Sequence, residues 1–307
     1  MKGEKTMEKF LMPFKKTLAM FFGLFFMLMT IGQNVKTFEP LDKDNLKLDL
    51  TIMSDIHMEG TVLEKFEIIP KCLNSLNGGK KYIDALVTVG DNSICAQNIE
   101  NMFFYGVLNN VNPIRPYFVA TGNHDIGNDD EDFGTFEELK ARHLGYINSF
   151  VDKNVTELYY SEVVKGYHLI LLGPDTAEGG SRNMLDKQLD WFEAELDKAA
   201  ESGLPIFVFN HYPLCVISQG RDRYVELLNK YDNIFVIVGH AHSEPIFDYI
   251  PGDKKTPEIG VPSLTSNNDG TIGYGYQMEV YENTVTIRTY DYYTGAYTGT
   301  DMTYTLK

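Results

Sequence analysis

Cysteine and positive charge are both scarce in this 307-residue chain. Its three cysteines, Cys72, Cys95 and Cys215, are an odd number without C-x-x-C spacing, so at most one intramolecular bridge can form and a small disulfide scaffold is excluded. Lys and Arg number 27 against 43 Asp and Glu, a net charge of −16. A basic nucleic-acid footprint is therefore absent. The long-range field repels polyanions, so any anionic substrate must be held by strong local positive charge, which a bound metal can supply. There is no internal repeat or low-complexity tract. The composition is 43% hydrophobic, 13% aromatic and 23% charged, that of an ordinary globular protein able to bury a full core.

Long apolar runs are also missing, with one short exception near the start. Leu18 to Ile31 is a 14-residue stretch without a charge, preceded by Lys2, Lys5, Lys9, Lys15 and Lys16. It is shorter than the roughly 20 residues of a comfortable membrane span. Residues 1–32 thus read as an export signal, with Thr30-Ile31-Gly32 as a small-x-small cleavage site, or as a retained N-terminal membrane anchor. Either places the protein outside the cytoplasm, secreted or anchored. No Cys follows the run, which argues against a lipid anchor. Residues 33–45 read as a linker, and 46–307 as one catalytic domain.

Apolar runs then alternate with helical or turn-rich segments, an α/β pattern. Predicted strands are Leu46 to Met53, Ala85 to Val89, Tyr117 to Ala120, His168 to Leu172, Ile206 to Phe209 and Ile234 to Val238. Several are continuously apolar, as in strands buried on both faces. Leu185, Leu189, Phe192 and Leu196 fall at helical spacing, with Ser181 or Asn183 as N-cap. Tyr274 to Tyr281 and Thr284 to Tyr290 flank Glu282-Asn283, a two-residue hairpin turn.

Five of these strands end in a short polar signature: Ser54-Asp55-Ile56-His57, Gly90-Asp91-Asn92, Gly122-Asn123-His124-Asp125, Asn210-His211-Tyr212 and Gly239-His240-Ala241-His242. Ligands bind at the carboxyl ends of strands in open α/β sheets. The pairs Asp55/His57 and His240/His242 are spaced i, i+2, so in extended backbone both members of a pair face one site. Glycines before Asp91, Asn123 and His240 suit a chain that turns sharply as it leaves a strand. Five of the seven histidines lie in these signatures; scattered core or surface histidines would not distribute so. Oxygen from Asp and Asn with nitrogen from His suits Mn, Fe or Zn better than Ca or a thiolate-selected metal. Seven such ligands oversupply one ion and serve two.

In this order the signatures resemble the calcineurin-like metallophosphoesterase family, whose motif is D-x-H, G-D, G-N-H-D/E, H and G-H-x-H, matched here from Asp55 to His242. The resemblance implies an αββα sandwich of two mixed β-sheets flanked by helices. It implies a dinuclear centre in which Asp55, His57 and His242 bind one divalent transition metal, Asn123, His211 and His240 bind the other, and Asp91 bridges them. Two ions about 3.5 to 4 Å apart activate a shared water and clamp the attacking and leaving oxygens of a phosphoryl transfer. By the same resemblance His124 is no ligand but polarises or protonates the leaving oxygen, oriented by Asp125. The position three residues after Asp91 is Ile94, where purple acid phosphatases carry a metal-binding Tyr, and the G-D-x-x-D-R-G of Ser/Thr protein phosphatases is absent. The Asn-His-Tyr-Pro run looks more like the bacterial phosphodiesterase branch. The expected activity is hydrolysis of a small phosphate ester, a diester by preference. The alternatives are a phosphomonoesterase and a metal-stabilised surface binding protein without turnover; intact Asn123, His124 and Asp125 argue against the binder.

Weaker features have plainer readings. Asn92, Arg182 and Tyr212 are candidate substrate contacts, although the Gly179-Gly180-Ser181-Arg182 loop is also an ordinary surface turn. Asp129 to Asp132 read as a solvated acidic loop. Cys95 and Cys215 read as buried small apolar residues, with a bridge between them as the alternative. Asn268, Asp269 and Tyr274 fall in a loop that borders the pocket, and the Tyr-rich end reads as strand.

Overall fold

The computed structural model of the protein describes residues 39–59, 63–128, 131–151, 153–175, 182–243 and 246–307, with a few positions between 17 and 25. Most of residues 1–32, predicted as an export signal or anchor, together with Asp129, Asp130 and Ser181, lie outside the described residues. No helix among the described residues is long and apolar enough to cross a membrane.

Among the described residues, twelve strands form two six-stranded sheets. In the first, β1 (Leu48–Met53), β2 (Ala85–Val89) and β3 (Tyr117–Ala120) run parallel. The order is completed on the other side of β1 by β10 (Tyr274–Val280), β11 (Thr284–Asp291) and β12 (Ala296–Thr305), all antiparallel. The second sheet has β5 (Tyr167–Leu171), β6 (Ile206–Phe209), β7 (Ile234–Val238) and β9 (Pro257–Gly260) parallel, with β4 (Tyr160–Val164) and β8 (Ile246–Tyr249) as antiparallel edges. Both sheets are mixed, as expected from the α/β pattern and the family resemblance.

Strand periodicity decides which side chains meet between the sheets. Leu48, Leu50 and Ile52 of β1 and Ala85, Val87 and Val89 of β2 point inward to meet Leu169, Leu171, Phe207, Phe209 and Ile237 of the facing sheet. The opposite faces carry helices. Outside the first sheet lie α1 (Leu63–Ser75), α2 (Asn98–Asn110) and α3 (Phe136–Phe150), whose Ile69, Phe104, Tyr105, Tyr146 and Ile147 share a core with Met53, Leu86 and Val119. Outside the second lie α4 (Asp186–Ala200) and α5 (Arg221–Leu228), packed on Ile170, Val208 and Val236. Each fully buried large apolar side chain contributes about 1.5–3 kcal/mol, so three such layers hold the strand ends in place without disulfides.

Leu189, Phe192 and Leu196 form the buried stripe of α4 as expected, but the helix begins later than its predicted caps. Leu185 is the N-cap and has no side-chain cap bond. Asn183 instead accepts from Ser218 Oγ (2.6 Å) and Gln219 N (3.2 Å), which pins the segment before the helix to the loop after β6. The Glu282-Asn283 turn stands, closed by Tyr281 N donating to Thr284 O at 2.8 Å. Cys95 and Cys215 are not bridged and are not core residues: Cys95 is half-buried and Cys215 exposed, because both fall in loops beyond the strand ends.

Candidate metal centre

All five signatures reach one rim, but not by the extended backbone the i, i+2 spacing suggested. Asp55 (φ 51°), His57 (φ 46°), Asp91 (φ 51°), His240 (φ 70°) and His242 (φ 47°) all adopt left-handed backbone. Non-glycine residues rarely do so, and the cost clusters where the surroundings enforce it. Here the enforcement is a ladder of loop hydrogen bonds: Asp55 N to Gly90 O (3.1 Å), His57 N to Asp91 O (2.9 Å) and Met58 N to Asn92 O (2.8 Å).

The glycines serve two different needs. Gly90 has φ 86° and also lies where a β-carbon would sit 2.6 Å from His211 Nδ1. Gly122 and Gly239 have ordinary backbone and are required for close approach: a β-carbon would lie 2.8 Å from Asp91 Cγ at Gly122, and 2.8 Å from Asp55 Oδ2 at Gly239.

Two groups of ligand atoms result, and they share Asp91. One comprises Asp55, His57, Asp91 and His242; the other Asp91, His211 and His240; within each the ligand atoms lie within 4.8 Å of one another. Asp55 Oδ2 accepts from Ser54 Oγ (2.6 Å) and from His240 N (3.1 Å), so Oδ1 is the oxygen turned to His242 Nε2 (3.0 Å) and His57 Nε2 (3.8 Å). Asp91 Oδ1 accepts from His124 N (2.9 Å), which leaves Oδ2 toward His211 Nε2 (3.1 Å) and His57 Nε2 (4.0 Å). His211 Nδ1 is anchored on Val89 O (2.8 Å), so its Nε2 is the inward atom. Asn123 Nδ2 donates to Asn128 Oδ1 (2.6 Å), and its Oδ1 lies 3.1 Å from His240 Nδ1, adding the amide oxygen to the second group.

These residues fit divalent cations. Asp55 Oδ1 and His211 Nε2 are buried without a hydrogen-bond partner. Ligand atoms about 2.1 Å from an ion and at right angles lie about 3 Å apart, the spacing of His57 Nε2 to His242 Nε2 (2.9 Å) and Asp55 Oδ1 to His242 Nε2 (3.0 Å).

The electrostatics follow from crowding imidazoles and carboxylates below the surface. Burial drives the His57 imidazole down to about 2. Burial opposes a charged His211, yet Asp91 beside it holds the imidazole up to about 9. Burial likewise works to raise Asp55, but the His242 imidazole 3.0 Å from its Oδ1 and the other imidazoles beside it keep it below the usual carboxylate range. His240 is held down to about 4 by burial first, then by the charge of His211, with Arg182 adding to the effect.

The remaining predicted residues divide. His124 is half-exposed beside the first group, its ring 4.7 Å from that of His57, and its Nδ1 lies 2.6 Å from Ile94 O. Asp125 does not orient it. Both Asp125 oxygens are occupied by the loops: Oδ1 accepts from Asn92 N (2.9 Å), Ser93 N (2.9 Å) and Ser93 Oγ (3.2 Å), and Oδ2 from Gly122 N (3.0 Å) and Asn92 Nδ2 (3.0 Å). The physical reason is local: His124–Ile126 is a 3-10 turn, where successive side chains diverge by about 120°. Asn92 is buried, and its Nδ2 braces the site by donating to Asp125 Oδ2 (3.0 Å) and Ala120 O (3.0 Å). Tyr212 is also buried, its ring edge-on to His211 (5.2 Å) and His240 (5.3 Å), and belongs to the core that supports them. Arg182 is exposed. Asn268 holds the last motif from behind, its N donating to His242 O (2.7 Å).

Sequence reasoning passed over Ser54, Ile94 and Asn128, which orient Asp55, His124 and Asn123. Ser54 had a signal, being the polar residue immediately before the first ligand; a backbone carbonyl such as that of Ile94 has none.

A carboxylate shared between two His-rich groups, at the strand ends of an αββα sandwich, is an arrangement that could hold two metal ions. The family model described as calcineurin-like phosphoesterase matches residues 48–244, and the chain belongs to that family. A dimetal phosphatase from Danio rerio superposes with a TM-score of 0.59 at 12% identity, over 85% of this chain and 100% of that one. A purple acid phosphatase from yellow lupin (Lupinus luteus) seeds gives 0.59 at 12% identity over 84% of this chain, which spans 53% of the lupin enzyme. At such identities the likeness shows the fold alone. Comparison with curated proteins gives no match.

Proposed function

We propose that the protein is an exported, dinuclear metal-dependent phosphoesterase that hydrolyses a small phosphate ester, a diester by preference. The observation that carries the reading is the shared carboxylate: Asp91 Oδ2 is common to both ligand groups, and His124 N on Asp91 Oδ1 couples the proton-donating histidine to it. Diester preference rests on the Asn210-His211-Tyr212-Pro213 run. Export, and contact with a membrane through the N-terminal segment alone, rest on the Lys-rich start and apolar run of residues 1–32.

Asp55, His57, Asp91 and His242 would hold one ion, and Asp91, Asn123, His211 and His240 the other; the donor set takes Mn, Fe or Zn. Such a pair lowers the pKa of water and neutralises charge gathering on the phosphoryl oxygens. The chain's own residues do the rest. Nδ1–H of His124 is committed to Ile94 O, so Nε2 is the atom that delivers a proton to the leaving oxygen. Asp125 fixes the loops that carry Asp91 and Asn123, so both groups keep their spacing. The acidic surface, −16 overall, disfavours nucleic acid and polyanions and leaves small esters as the substrates able to approach.

Hydrolysis of bis-p-nitrophenyl phosphate and p-nitrophenyl phosphate by residues 33–307, with elemental analysis of the same sample, tests the reading. Two transition metals per chain and faster diester cleavage are expected. Faster monoester cleavage overturns the diester preference, and a metal-loaded protein inert to both, with Asp91→Asn indistinguishable from it, overturns the enzyme reading.

A further inference from the structure

Left-handed backbone takes a chain out of the strand ladder, so the peptide groups beside it need partners elsewhere. At the first signature these partners come from two loops. The N–H groups of Asp55 and His57 go to Gly90 O and Asp91 O, in the loop after β2. The carbonyls go to a stretch after β9: Ser263 Oγ donates to Asp55 O (2.9 Å) and Thr265 Oγ1 to Ile56 O (3.1 Å). The same stretch meets the last signature, where Asn268 N donates to His242 O (2.7 Å) and Asn268 Nδ2 to Ala241 O (3.2 Å). Residues 263–268 thus hold four carbonyls of the two segments that carry Asp55, His57 and His242. The stretch is also closed on itself. Asn267 Oδ1 accepts from Ser263 N (2.8 Å), Asn267 Nδ2 donates to Ser263 O (2.7 Å), and Ser263 Oγ accepts from Ser266 N (3.0 Å). Leu264 N, on Ser54 O (2.9 Å), ties it to the end of β1. The second ligand group is braced by other parts of the chain: His211 Nδ1 on Val89 O, Asn123 Nδ2 on Asn128 Oδ1 and His240 N on Asp55 Oδ2.

We propose that Ser263, Thr265 and Asn268 are positioning residues for the first metal position alone, fixing Asp55, His57 and His242 through the carbonyls of their segments. The inference rests on the dinuclear reading and goes beyond it by making the two positions unequal: one depends on residues 263–268, and the other does not. These residues lie past residue 244, where the match to the family model ends. Left-handed non-glycine backbone persists only where its surroundings over-determine it. For Asp55 and His57 the surroundings are the β2 loop on the N–H side and two buried hydroxyls, of Ser263 and Thr265, on the carbonyl side. Ile56 O lies between the two ligands, so losing the Thr265 hydroxyl frees the peptide that sets the direction of both. Groups that orient metal ligands act on affinity without touching the ion. At limiting metal the first position of a variant therefore empties while the second stays filled.

The test measures Mn²⁺ binding to the metal-free full chain by titration calorimetry, in two backgrounds that each leave one position with its full donor set. His240→Ala keeps the first position and His242→Ala the second. Thr265→Val removes the hydroxyl and keeps the side-chain shape. In His240→Ala it is expected to weaken Mn²⁺ binding about tenfold or more, the size of effect typical of a residue that orients a ligand. In His242→Ala it should leave the affinity within about twofold, since the remaining ligands share no partner with Thr265. Thr265→Ser, which keeps the hydroxyl, should restore the affinity in His240→Ala. Equal weakening in both backgrounds, as a purely structural role would give, overturns the proposal, and so does no change in either. Should Thr265→Val not fold, Asn268→Ala, at the exposed end of the stretch, releases Ala241 O and carries the same asymmetry, at about threefold or more. A wild type that binds fewer than two Mn²⁺ overturns the dinuclear reading and this proposal together. Two ions in wild type without asymmetry between the backgrounds overturn this proposal alone.

Discussion

Gly122 packs against the side chain of Asp91 so closely that a β-carbon at Gly122 would lie 2.8 Å from the carboxyl carbon and 2.5 Å from the Asp91 backbone nitrogen. Neither atom can yield, because Asp91 is buried and tied to both ligand groups. Gly122→Ala is therefore expected to displace the shared carboxylate and to lower occupancy of both metal positions. Elemental analysis should show fewer than two metals per chain, with kcat reduced about 100-fold or more while the far-ultraviolet circular dichroism stays native. Full metal content and activity in Gly122→Ala would show that the loop relaxes and that the close approach is incidental.

His124 separates chemistry from metal binding. It touches Asp91 through its backbone N alone, and its ring is held by Ile94 O. His124→Asn preserves the backbone contact and removes the proton donor. The expected outcome is a loss of about 10²–10⁴ in kcat, with two metals still bound and KM little changed. The loss should shrink on esters of more acidic leaving groups, which need less help in departing. An equal loss across leaving groups would place His124 in binding instead of proton delivery.

The ligand set was legible in the sequence because its chemistry is written in residue type and order: Asp55, His57, Asp91, Asn123, His211, His240 and His242 each end an apolar run, and the structure brings them together. The path by which they converge was not legible. Left-handed backbone at Asp55, His57, Asp91, His240 and His242 is imposed by loop-to-loop hydrogen bonds, and nothing in a non-glycine residue announces it. Neighbouring positions in the sequence misled where the 3-10 turn at His124 sends Asp125 into the loops, and where Asn92 and Tyr212 turn inward. Of the strands, β4, β8 and β9 were missed, whereas the Tyr-rich end was read as strand and forms β12 (Ala296–Thr305). β8 and β9 are only four residues long, and half-exposed β4 depends on edge pairing with β5 and not on an apolar run of its own.

Asp125 is a positioning residue, and its variant should be distinguishable from that of His124. Five donors converge on its two oxygens at 2.9–3.2 Å, all from residues within two positions of Asp91 or Asn123. Asp125→Asn sets an NH₂ against backbone N–H groups and leaves buried donors unmet, a cost of about 1–3 kcal/mol for each lost partner. The thermal midpoint should fall by several degrees, with metal affinity lowered and the dependence of kcat on leaving group unchanged. A variant with wild-type stability and a His124-like kinetic signature would return Asp125 to the chemistry.

Acid sensitivity should have a contribution from outside the metal centre. His143 on α3 is buried, and its Nε2 lies 3.0 Å from Thr121 Oγ1, just ahead of the Gly122-Asn123-His124 loop. Burial lowers its pKa from the ordinary 6.5, partly offset by the charge of Asp125. A depressed folded-state value means that the neutral imidazole is the form folding favours. The resulting stability is present in full above about pH 6.5 and is lost as pH falls, because the unfolded chain then takes up a proton that the folded one refuses. Per pH unit below 6.5 the loss approaches about 1.4 kcal/mol until the folded-state value is reached. Chemical denaturation of wild type and His143→Gln between pH 7 and pH 5 isolates this part, since the ligand histidines titrate in both proteins. The difference in stability between the two should narrow or reverse toward pH 5. A gap that stays constant with pH would mean that His143 keeps its ordinary protonation inside the fold.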